Sequence, residues 1–130
     1  MYFLGSVEPY YTVLQPLFRR VFEGSLTMVV STATEAELLS WPELQVNEEA
    51  REQIADLLSE HGIQVVPVDR RIARRAGALR GERGFKLMDA IIIATASETG
   101  CEAIVGNDGE WARKQVTPPF INLREIVARA

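Results

Sequence analysis

Residues 87–96 read Leu-Met-Asp-Ala-Ile-Ile-Ile-Ala-Thr-Ala, the most apolar run in the chain, with a single acid near its head. Ile91, Ile92, Ile93, Ala94 and Ala96 spread round nearly the whole circumference of a helix, and a helix apolar on all sides is normally buried on most of them. Asp89 falls in or just before the first turn, where a carboxylate can accept from N–H groups that have no partner within the helix. The run therefore predicts a core helix whose N-terminal end points one carboxylate into a cleft.

Two other stretches place acids in the same way. The short apolar run Ala103-Ile104-Val105-Gly106 leads into Asn107-Asp108-Gly109. That puts Asp108 at the carboxyl edge of a sheet, where open α/β folds keep their sites. Residues 28–39, Met-Val-Val-Ser-Thr-Ala-Thr-Glu-Ala-Glu-Leu-Leu, are again an apolar strand running into an acid-bearing helix start. Each acid also has a purely structural account. Asp89 could be an N-cap, Asn107-Asp108-Gly109 a plain turn, and Thr34-x-x-Glu37 or Thr32-x-x-Glu35 a capping box. Against these accounts stands the recurrence of acids at three such places, which suggests one site.

The rest of the chain alternates strands and helices. Val13, Leu14, Leu17, Phe18, Val21 and Phe22 recur at helical spacing up to Glu23-Gly24, with Pro16 predicting a kink. A strand is expected over 26–31, and Trp41-Pro42 ends the helix after it. A helix over 48–60 is carried by Ile54, Leu57 and Leu58, followed by a strand over 63–66. Asp69 caps a helix over 70–83, with Ile72, Ala76 and Leu79 on one side. Arg70, Arg71, Arg74 and Arg75 lie on another face, either as solvated surface or as a track for a phosphate backbone. Beyond it come a strand over 103–105, a helical piece over 111–113, a break at Pro118-Pro119, a strand over 120–122 and a terminal helix over 123–127. This alternation predicts a three-layer α/β fold, with a mainly parallel sheet between helices, in a single domain over 1–130.

Composition narrows the chemistry. One cysteine, Cys101, allows no internal disulfide, and with His61 as the one histidine a Cys/His zinc site is excluded. His61 reads as a solvated residue at a helix end and Cys101 as a small hydrophobe at a helix exit. No apolar run is long enough to span a membrane, and no basic stretch leads into a signal-like core, so a cytoplasmic location is expected. A net charge of −4 argues against bulk polyanion binding and leaves room for a local basic face. Carboxylates forced together repel, and they are tolerated mainly with a divalent cation between them. Such a cation would be oxygen-bound Mg²⁺ or Mn²⁺, and one of its waters could attack a phosphodiester. No Gly-x-Gly-x-x-Gly or Walker-type loop follows any strand, which weighs against a flavodoxin-like nucleotide module.

Residues 34–39, 87–96 and 104–108 resemble three motifs of PIN-domain proteins, with spacing similar to the VapC-like toxins. The resemblance covers essentially the whole chain. It implies a metal-dependent endoribonuclease acting on RNA, with Glu37, Asp89 and Asp108 as the catalytic acids and ligands of Mg²⁺ or Mn²⁺. Glu35 is the less suitable ligand, because a residue two positions away on a helix faces elsewhere. The resemblance also implies a small antitoxin protein covering the site and a homodimer formed through the N-terminal helices. The departure is at the start. The family's opening strand ends in Asp-x-Asn, whereas this sequence opens Met1-Tyr2-Phe3-Leu4-Gly5 and its first acid is Glu8. The expectation is a PIN-like fold lacking that strand and its acid, with weaker metal binding and two exposed sheet edges. The edges could be covered by a rearranged sheet, by Met1 to Leu4 or by a partner chain. The alternative function is a catalytically impaired PIN-like domain that binds RNA or protein.

Overall fold

The computed structural model describes residues 19–106 and 115–122, without the side chains of residues 43, 106 and 122. The expectations for the body of the first helix and its Pro16 kink, the absent first strand, Asp108, the helical piece over 111–113 and the terminal helix lie outside these residues.

Residues 19–22 are helical, and Gly24 ends the helix in the left-handed region at φ 85°. The N–H of Ser25 donates to Arg20 O at 3.0 Å and that of Gly24 to Val21 O at 3.1 Å. This closure satisfies carbonyls that a helix end otherwise leaves open. The strand β1 (Met28–Ser31) follows and pairs in parallel with β2 (Ile63–Val66), Met28 opposite Ile63 and Val30 opposite Val65. Between them lie α1 (Thr32–Leu39), α2 (Pro42–Gln45) and α3 (Glu48–Leu58). The short α2 is an addition to the sequence reading. Pro42 stops α1 as expected, but its fixed φ also suits the first position of a new helix.

After β2 come α4 (Arg70–Arg83) and α5 (Leu87–Glu98). Asp69 Oδ1 accepts from the Ile72 N–H at 2.9 Å and caps α4, which ends on Gly84 at φ 73°. The last strands, β3 (Ile104–Gly106) and β4 (Phe120–Asn122), are also parallel. All described pairings are therefore parallel, as the alternation predicts. They form two separate two-stranded sheets rather than one, because no described strand bonds to the second edge of either pair.

Strand alternation gives the layers. Val30 and Ile63 are buried, and with Met28 and Val65 they pack among Val21, Leu44, Ile54 and Leu58. On the opposite face Val66 joins Ile72, Ala76, Phe85, Ala90, Ile93, Ala94 and Ile104. Helices thus cover both faces of the β1–β2 sheet. As its sequence predicts, α5 is the core helix: Ala90 and Ala94 are fully buried, and Ile91 and Ile92 are partly covered. Cys101 sits half-buried at its exit and packs on this core, while His61 is exposed beyond α3. No described helix is long and apolar enough to cross a membrane.

Candidate active site

The start of α1 is fixed by two hydroxyls. Ser31, buried at the end of β1, caps the helix by accepting from the Ala33 N–H at 3.1 Å. Thr32 Oγ1 accepts from the Val68 N–H at 3.2 Å, tying this helix start to the loop after β2. Because Ser31 is the cap, neither capping box proposed from the sequence forms. Glu35 lies in the first turn, half-buried, and Glu37 lies beyond it with its side chain exposed. Its position gives Glu37 no capping duty.

Asp89 lies in the first turn of α5, half-buried, but it is not the cap either. That position belongs to Lys86, whose side chain makes no capping bond. The backbone around Asp89 is rigidly held, since the next residue, Ala90, is fully buried and α5 packs against α1 and β1. The structure therefore brings the helix carrying Glu37 against the helix carrying Asp89. Asp108 lies outside the described residues, two positions past the end of β3. Among the described residues no three His, Cys, Asp or Glu side chains cluster as a metal site. The donors at the two described positions are carboxylate oxygens, the ligand type that Mg²⁺ and Mn²⁺ take.

The arginine face of α4 divides in a way the sequence does not reveal. Arg71 Nη2 donates to Glu98 Oε2 at 2.8 Å and Arg75 Nε to Glu98 Oε1 at 2.7 Å. These bonds tie the first half of α4 to the last residue of α5, so the two helices form an antiparallel hairpin. The hydrogen bond from Arg75 holds Glu98 below the ordinary carboxylate value of 4.5, helped by the charges of Arg71 and Arg75 and opposed by partial burial. Arg71 and Arg75 thus belong to a structural clamp, which corrects the four-arginine track. Its third member, Glu98, is more than twenty residues away in sequence, and no local pattern marks it. Arg70 and Arg74 remain exposed.

In a comparison with known families, the model of the PIN domain aligns with residues 10–116, a span that contains Glu37, Asp89 and Asp108. Comparisons with curated proteins and with solved structures found no match.

Proposed function

Because the chain belongs to the PIN-domain family, whose members are metal-dependent nucleases, we propose that it is an endoribonuclease of the VapC-like toxin type. The observation that carries this reading is that the family match spans all three acids. The caps at Ser31 and Lys86 support it by leaving the N-capping of α1 and α5 to residues other than Glu37 and Asp89. Glu37, Asp89 and Asp108 would hold the metal. Bound there, Mg²⁺ or Mn²⁺ would supply positive charge against a phosphodiester and a more acidic water as a source of nucleophile. What the chain itself contributes is position. Asp89 rides on a helix locked into the core, so its carboxylate is placed before substrate arrives. The exposed Glu37 is reachable from solvent. An antitoxin protein covering these acids and a homodimer complete the proposal.

The test is calorimetry of Mn²⁺ binding, with single-stranded RNA cleavage followed in parallel and Asp89→Asn as the control. Saturable binding and metal-dependent cutting, both lost in the variant, are expected. Binding without cutting would instead leave a PIN domain that acts by holding RNA or protein. Absence of binding would overturn the metal centre.

A further inference from the structure

The α4 helix concentrates positive charge in an otherwise acidic chain. Its fourteen residues carry six arginines and one glutamate, while the whole protein has a net charge of −4. Arg71 and Arg75 share Glu98, but among the described residues Arg70 and Arg74 have no carboxylate partner. These two stand one turn apart on the face opposite the buried Ile72 and Ala76. Three and four residues on, the same face carries Gly77 and then Gly81.

A merely solvated face does not account for those glycines. Glycine is among the poorest residues for an exposed helix interior. Among the described residues a Cβ built at Gly77 or Gly81 would meet nothing within 4 Å, so packing among them does not require either glycine. Their effect is to leave a smooth strip of helix backbone beside two unpaired guanidinium groups, against which another chain can lie closely. Guanidinium groups match phosphate oxygens in charge and geometry. The strip also has a direction. The hairpin sets its start beside Glu98, and its far end passes through Gly84, Phe85 and Lys86 into the first turn of α5, which carries Asp89. At about 1.5 Å per residue, α4 is about 20 Å long, room for several phosphates.

We infer that the outer face of α4, led by Arg70 and Arg74, is a track for the phosphodiester backbone of a single RNA strand running toward Asp89. The inference rests on the nuclease reading only for the choice of ligand. Its test is binding of a fluorescently labelled oligouridylate to the full chain, by anisotropy in EDTA across a salt series. Arg70→Gln/Arg74→Gln should weaken binding roughly tenfold at low salt and reduce the slope of log K against log salt by about 1.4, at about 0.7 per lost contact. Arg70→Lys/Arg74→Lys, which keeps both charges, should retain most of the slope. Both variants should melt with the wild type, since neither residue is packed. An unchanged slope in the glutamine variant would overturn the track. So would displacement of the probe by polyglutamate as readily as by unlabelled RNA, which would mark the face as a docking site for acidic protein. Arginine-dependent binding with no cleavage under Mn²⁺ would uphold the track and count against the nuclease.

Discussion

Ser31 closes β1 and opens α1 with the same hydroxyl, so its loss acts on both. Its Oγ accepts from the Ala33 N–H in a position only 4% exposed, where water cannot easily replace it. Ser31→Ala should therefore cost about 1–2 kcal/mol, the upper part of the range for a lost cap. Urea unfolding measures this, and a cost near zero would show that solvent reaches the N–H after all. The same residue explains why the role of each acid was not legible from sequence. Ser31, Thr32 and Thr34 are all acceptable caps, and the choice depends on where β1 stops pairing with β2. Once Ser31 takes the cap, Glu37 lies too far along the helix to fold back on it. Asp89 was legible to within a turn, because the apolar run after it allowed only one kind of helix.

Helix ends and approaches decide the next scale. Gly62 stands just before β2, and a Cβ there would lie 2.6 Å from Val21 O and 2.8 Å from Val21 Cγ1. Val21 is itself buried and Gly62 O accepts from the Met28 N–H, so neither side can yield cheaply. Gly62→Ala should destabilise by about 1–3 kcal/mol, as overpacking of a filled core does, seen as a lower thermal midpoint with unchanged far-UV dichroism. No local pattern marks Gly62 as crowded, because the crowding comes from Val21, some forty positions earlier. The α4–α5 clamp was equally invisible, and it makes a pH-dependent contribution. A carboxyl whose folded pKa lies below its unfolded value stabilises above the unfolded value and loses that effect as pH falls through the folded one. For Glu98 the contribution is thus complete at neutral pH and fades below 4.5. Glu98→Gln should melt below the wild type at neutral pH, and the gap should close well below 4.5. A gap that persists in acid would mean the clamp works through packing rather than charge.

Over the whole molecule, two helical layers cover the β1–β2 sheet, and charge is segregated between them. Periodic signals made the layers legible: Ile72, Ala76 and Leu79 on α4, and the isoleucines of α5, faced inward as their spacing required. The division of the described strands into two sheets was not legible, since which strand edges meet is a long-range matter that strands of three or four residues do not encode. Packing of α1 on α5, which brings Glu37 and Asp89 onto neighbouring helices, is long-range in the same sense. With six arginines gathered on α4, the rest of the chain is strongly acidic, and metal-free carboxylates there should repel one another. A cation that binds only the folded form should stabilise it by about 2.7 kcal/mol at a hundred times its Kd. For a domain of this size that is a rise of roughly 10 °C in Tm. Glu37→Gln should melt slightly above the wild type without metal, by relief of repulsion, and should lose most of the Mn²⁺-induced rise. Glu35→Gln, two positions away and turned elsewhere on α1, should keep it. Thermal melts with and without Mn²⁺ decide the matter: a full rise in Glu37→Gln would remove that residue from the metal centre, and no rise in the wild type would mean that the acids do not form a metal site.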